Sequence, residues 1–284
     1  MIPHIIHYCW IGGAPLPLLA EECIASWKKH MPSWQIKRWD ESNFDISAAP
    51  LYVRQAYEAR KFAFVSDYVR LWVLEQYGGL YMDVDFEVFR PFDNLMNKYP
   101  AFAGYEGSKR KPVMQGVIAS EPHGAWVQDM LQTYQFREFI RVDGSLDLTP
   151  NTSFFTDRLE AQGFVADGKE KDFFLNDASM MPNEPLCSML REHSSLNDEV
   201  RKEITNHQSP VTNAEERVFF LHVFPVHYFC PILTTGEDVR TKETYCEHKG
   251  ESSWAQQTIK GRLMKILSPK WRTRLIKLKR NVLG

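Results

Sequence analysis

Two aspartates one residue apart, Asp83 and Asp85, close the segment Tyr77-Gly78-Gly79-Leu80-Tyr81-Met82-Asp83-Val84-Asp85. The segment reads as a glycine turn, a short apolar strand and an acid pair at the strand's end. Alternation along a strand would point both carboxylates to one side. Two acids held that close repel each other, and burial raises the cost. A hard divalent cation such as Mg²⁺ or Mn²⁺ removes the conflict, because it takes one or two carboxylates together with the phosphates of a substrate. The chemistry implied is departure of a nucleotide diphosphate whose charge the metal neutralises. A bare Asp-x-Asp also arises in solvated turns, so its neighbourhood decides.

Upstream runs Ala63 to Tyr77, built of helix formers and large apolar groups and stopped by Gly78-Gly79. Asp67 and Arg70 are three apart and share one helical face. Two readings stand side by side: a surface ion pair worth under about 1 kcal/mol, or a partly buried pair retained for a ligand. Trp10 ends a strand-like run just before Gly12-Gly13. In open α/β sheets ligands sit beyond the carboxyl ends of strands, and an aromatic face there can stack on a base; an ordinary core tryptophan is the alternative. A lone histidine such as His248 most commonly has a structural role, though a neutral imidazole can ligate a metal. Gln115 and Asn151 are polar residues at expected element edges, open to donor or acceptor contacts or to plain capping. His222 and His227 flank an apolar run as core or rim residues.

The positioning elements follow from periodicity. Residues 4–10 read as a buried strand, Leu18 to His30 as a helix and Trp34 to Trp39 as a second strand. Leu51 to Arg60 reads as a helix before that of Asp67. After the acid pair come a strand over 86–89 stopped by Arg90-Pro91, strands at 102–105 and 113–119, and a helix from Gly124 to Phe139. Strands alternating with helices give an α/β class. Residues 141–215 read as polar and irregular, an insertion on the acceptor side.

The chain has 284 residues, a formal net charge of −2, 44% hydrophobic and 25% charged residues, which is enough for one large domain and gives no basic excess for nucleic acid. Five cysteines without a CxxC pair argue against a zinc site or disulfide scaffold and for reduced thiols in a cytoplasmic protein. The opening residues lack a basic-then-apolar signal. The most apolar stretch, Val218 to Cys230, is too short to span a bilayer. The tail differs: residues 255–284 carry nine Lys or Arg and no Asp or Glu, with apolar residues at helical spacing on either side of Pro269. Two basic amphipathic helices suit docking on an anionic membrane surface, or a hairpin packed on the domain.

Taken together, these blocks resemble glycosyltransferase family 32, the bacterial capsular and lipopolysaccharide sugar transferases with a DxD sugar-binding region. More distantly they are similar to the catalytic domain of the large clostridial glucosylating toxins. The matching residues are Ile2 to Gly13, Ser26-Trp27-Lys28, Trp39-Asp40-Glu41, Ala63 to Asp85, His248 and Ser252-Ser253-Trp254. The resemblance implies a GT-A-like, Rossmann-type nucleotide-sugar transferase domain over residues 1–255, with a helical extension over 256–284. It implies a UDP-sugar donor, a lipid-linked glycan acceptor, Mn²⁺ or Mg²⁺, retention of anomeric configuration, and a role in surface polysaccharide synthesis at the inner face of the cytoplasmic membrane.

For the site, the resemblance implies that Trp10 stacks on uracil, that Asp67 and Arg70 grip hydroxyls of the donor sugar with Arg70 in reach of the diphosphate, and that Tyr81 lies beside the nucleotide or the diphosphate. It makes Asp83, Asp85 and His248 the metal group, with Asp85 the more direct ligand and Asp83 reaching ribose or sugar. Ser252 and Trp254 would close over the diphosphate. Asp67, Arg70 and Asp85 would carry the chemistry. One departure is Lys249, where the family more often pairs two histidines; this lysine could contact phosphate. The rival readings are a nucleotide-sugar hydrolase and a non-catalytic glycan-binding protein on a transferase fold.

Overall fold

A computed structural model describes residues 1–107, 112–176 and 217–250. Among these, the central sheet has strand order β2-β1-β3-β6-β5-β8-β7. Strand β1 (Ile5–Cys9) runs parallel to both β2 (Gln35–Trp39) and β3 (Gly79–Met82). Strand β6 (Val117–Ser120) is antiparallel to β3 and to β5 (Ala101–Gly104). Strand β8 (Arg217–Phe224) is parallel to β5, and β7 (Lys171–Asn176) closes that edge antiparallel to β8. A separate ribbon pairs β4 (Phe86–Val88) with β9 (Cys246–His248).

Side chains alternate across the sheet and divide the core in two. Tyr81 and Ile118 join the layer of α2 (Leu51–Glu58), α3 (Phe62–Tyr77), α5 (Ala125–Thr133) and α6 (Asn151–Ala161). Leu80, Met82, Val117 and Ala119 face the layer of α1 (Leu18–His30), the ribbon and α4 (Asp93–Lys98). The α/β class expected from the alternation of elements is therefore what the structure has.

The α3–β3 hairpin sets the geometry of everything that follows. Gly78 and Gly79 have φ of +60° and +107°, and a Cβ on Gly78 would lie 2.6 Å from Pro122. Only glycine tolerates that turn, which folds β3 back along α3. His7 pins it: its Nε2 hydrogen-bonds the Gly78 carbonyl at 2.9 Å, while Trp39 Nε1–H donates to Nδ1 at 3.0 Å. An indole N–H can only donate, so Nδ1 accepts and Nε2 carries the proton. Burial lowers the pKa of His7 to about 4, against the smaller raising effect of the Gly78 bond.

Several sequence expectations need correction. The acid pair is not on a strand: β3 ends at Met82, and the Asp83 carbonyl accepts the Phe86 N–H at 3.2 Å, forming a turn into β4. The expected 113–119 strand is regular only over β6, and the expected helix at 124–139 ends at Thr133 in a 3₁₀ turn, Tyr134–Phe136. The stretch expected to be irregular contains two regular elements among its described residues, α6 and β7. Among the described residues no helix is long and apolar enough to cross a membrane. Cys9, Cys23, Cys230 and Cys246 are buried and free. The tail beyond 250, Cys187, Ser252 and Trp254 lie outside the described residues.

Candidate functional site

Because β3 runs back along α3, the middle of the helix meets the end of the strand, and Arg70, paired with Asp67 on its own helix, reaches Asp83 there. Arg70 is 6% exposed, which decides between the two readings of the pair in favour of the buried one. Its Nη2 lies 2.9 Å from Asp67 Oδ1 and 3.5 Å from Asp83 Oδ1, and its Nη1 donates to the Gln115 carbonyl at 2.8 Å. The guanidinium also lies 4.9 Å from the Tyr81 ring centre. Tyr81 is buried and donates its hydroxyl proton to Asp83 at 2.8 Å. A planar fork held by two carboxylates, a carbonyl and an aromatic face is preorganised in a way a lysine could not match.

Gly116 makes room for Asp83. A Cβ there would come within 2.9 Å of Asp83 Oδ2 and 2.7 Å of Phe86, and its carbonyl accepts the Asp83 N–H at 2.8 Å. On the other side of the turn, Asp85 Oδ2 is 3.0 Å from His248 Nε2. The β4–β9 register causes this pairing, since Phe86 faces His248 and their rings stack at 4.8 Å. The two aspartates thus face different partners: Asp83 the Arg70–Tyr81 side, Asp85 the His248 side.

The corner is overfull of acid. Burial pushes Asp67 up to about 6 even though Arg70 opposes it. Asp83 is raised by burial against Arg70, with Asp85 adding to the rise. His248 is raised because its bond to Asp85 and the charges of Asp85, Asp83 and Glu106 together outweigh burial. Glu106, at the end of β5, was not anticipated from the sequence. Its carboxyl is raised by burial and by Asp83, while His248 and Arg70 oppose. A lone glutamate carries no local signal; the β3–β6–β5 pairing brings it here. Four carboxylates against one arginine and a titratable histidine make a region of surplus negative potential, which a cation would neutralise. The carboxylate oxygens of this set fit Mn²⁺ or Mg²⁺. However, no three such groups converge as a ligand shell among the described residues.

Trp10 lies at the end of β1, half-buried, with Nε1 donating to the Ala14 carbonyl at 2.6 Å. The loop after it is held by Glu41, whose Oε1 accepts the Gly12 N–H at 2.7 Å, and by Phe62, which fills the space where a Gly12 side chain would go. Lys249 is engaged elsewhere, at 2.6 Å from Glu87 and 3.4 Å from Glu247. Gln115 and Asn151 are both buried. His222 sits between Asp172 (2.6 Å) and Glu170 (3.3 Å) and stacks on Tyr99, and His227 lies 3.7 Å from Glu243. A cleft lined by Arg90, Lys98, Tyr99, Tyr228, Glu243 and Tyr245 contains none of the predicted site residues.

Residues 17–102 match the family described as "Glycosyltransferase sugar-binding region containing DXD motif". The match spans α1 through the acid pair and into β5. Over 84 residues the chain is 31% identical to "Glucan organizing enzyme 1" of Cryptococcus neoformans var. grubii serotype A, an alignment covering 27% of this chain and 23% of that protein. The chain thus spans about a quarter of the length of that curated relative. Among solved structures it is similar to "PaToxG Glycosyltransferase", at 17% identity and a TM-score of 0.45 over 72% of this chain and 84% of that one. It is also similar to the galactosyltransferase LgtC in complex with donor and acceptor sugar analogs, at 17% identity and a TM-score of 0.26 over 42% of this chain and 58% of that one.

Proposed function

We propose that this chain, which carries a glycosyltransferase sugar-binding region with its DXD motif, transfers a sugar from a UDP-sugar donor to a glycan acceptor with the help of a divalent cation. The observation that carries the reading is the buried Arg70 fork, tied to Asp67 and Asp83 within a surplus of carboxylates at the strand ends of the matched region. Asp67 and Arg70 bind and orient the donor sugar, and the Arg70 charge stabilises the departing diphosphate. Asp85 and His248, with Asp83 behind them, would hold Mn²⁺ or Mg²⁺, which when bound supplies positive charge to the leaving group. Trp10 takes the uracil, on a loop that Glu41 and Phe62 hold in place.

The finer reading follows the resemblance: retention at the anomeric carbon, an acceptor carried on lipid, and work at the cytoplasmic face of a membrane in surface polysaccharide synthesis. The basic residues of 256–284 would favour that location.

The test is a screen of nucleotide sugars for hydrolysis and transfer, with and without Mn²⁺, on the full chain. UDP-sugar turnover that EDTA abolishes is the expected result. Asp85→Ala should remove both turnover and metal-dependent UDP binding and leave the circular dichroism unchanged. Wild-type turnover in that variant would remove the metal from the reaction. Turnover that stays purely hydrolytic with every glycan offered would favour the hydrolase, and absence of both turnover and UDP binding would leave a glycan-binding module.

A further inference from the structure

Two amides near the buried end of the site have hydrogen-bonding capacity that the protein leaves unmet. Gln115 is 1% exposed with no partner for Oε1, and Asn151 is 6% exposed with none for Nδ2. Buried polar groups nearly always have partners, and leaving one unmet costs about 1–3 kcal/mol. Two such groups bordering one functional corner point to something that completes them.

The backbone brings both to the Asp67–Arg70 pair. The Gln115 carbonyl accepts from Arg70, and the adjacent Gly116 holds the Asp83 amide. Asn151 opens α6, capped by Pro150 with no side-chain bond, and its Oδ1 lies 3.4 Å from the Tyr134 hydroxyl. Tyr134 packs 5.1 Å from the ring of Tyr68, next to Asp67, and lies within the fields of Asp67 and Arg70. The Val113 N–H donates to Thr156 Oγ1 at 2.8 Å, tying the segment that leads into Gln115 to α6. Exposure falls from Asp83 (33%) through Asp67 (15%) to these amides, so the amides lie deeper in the protein than the acids.

We propose that Gln115 and Asn151 read the hydroxyl pattern of the transferred sugar. This rests on the reading of the chain as a nucleotide-sugar transferase and deepens it. A sugar hydroxyl both donates and accepts, so one hydroxyl can satisfy the Gln115 oxygen and another the Asn151 N–H. An apolar ligand would leave both unmet. A site built on such bonds discriminates strongly against a sugar whose hydroxyl points elsewhere.

The experiment measures hydrolysis of UDP-glucose, UDP-galactose and their N-acetyl forms by the full chain and by Gln115→Leu, Gln115→Glu, Asn151→Leu and Asn151→Asp, with UDP affinity by calorimetry. The ratio of kcat/KM between the 4-epimers should change at least tenfold in one or more variants, with UDP affinity within about threefold of the unaltered chain. If a leucine variant fails to fold, the isosteric acid at that position decides. An unchanged donor ratio, whether rates fall equally for all donors or not at all, makes the amides structural and overturns the proposal. An unaltered chain that turns over no nucleotide sugar ends the transferase reading, and this inference with it, before any variant is compared.

Discussion

Arg70 is where the energetics of the site concentrate. Its two terminal nitrogens meet Asp67, Asp83 and the Gln115 carbonyl, three acceptors in three directions. A lysine ammonium has the charge without the fork, so Arg70→Lys keeps at most part of this set. Each lost charge-assisted bond is worth about 1.5–3 kcal/mol, which corresponds to tenfold or more per bond in rate. Arg70→Lys should therefore lower kcat/KM for the donor by about a hundredfold, measured by UDP release. A loss under threefold would mean that the charge alone suffices. The residue types of this group were legible in the sequence because Asp67, Arg70, Tyr81 and Asp83 fall in one continuous stretch. Glu106 was not, because its place depends on β5 pairing with β6 and β6 with β3, a long-range fact that no local pattern encodes.

At the scale of elements, legibility followed how simply each buries its apolar face. Helix α1 was read to its limits, since Ala20, Cys23, Ile24 and Trp27 form a buried stripe. Helix α6 was missed because part of its buried face is polar: Arg158 is 1% exposed and forms a two-pronged ion pair with Asp129 at 2.6 and 3.0 Å. Burial by pairing erases the hydrophobic period that reveals a helix. The strand-end turn at Asp83 was misread for a related reason, since alternation holds only while the strand continues. The loop after β1 offers a test at this scale. Gly12 has φ +98°, and a Cβ there would lie 2.3 Å from Phe62; Gly13 has φ +70° and open space around it. Gly12→Ala must displace the Phe62 ring or the Trp10 loop that packs on it, whereas Gly13→Ala adds only backbone strain of roughly 1–2 kcal/mol. UDP affinity should fall about tenfold in the first and less than threefold in the second by calorimetry. Equal effects would place the nucleotide away from this loop.

For the molecule as a whole, the sheet joins carboxylate-rich strand ends to a scaffold pinned by neutral His7. That bridge has a consequence for how the protein withstands acid. His7 titrates near 4 in the fold against 6.5 in the unfolded chain, so the unfolded chain binds its proton first. Its contribution is fully present above about pH 6.5 and fades as pH falls toward 4, in total about 3 kcal/mol. Asp67 acts with the opposite sign: raised from 3.8 to about 6, it holds a proton more tightly in the fold and favours folding as pH falls through the same window. The site and the scaffold therefore counterbalance each other. Relative to the unaltered chain, Asp67→Asn should lose melting temperature between pH 7 and pH 5, and His7→Gln should gain it, read by thermal melts without metal or UDP. Parallel curves for all three chains would show that the two groups do not set the acid response. Opposed slopes would mean that the carboxylates gathered for a ligand also buffer the fold against the lability of its own histidine pin.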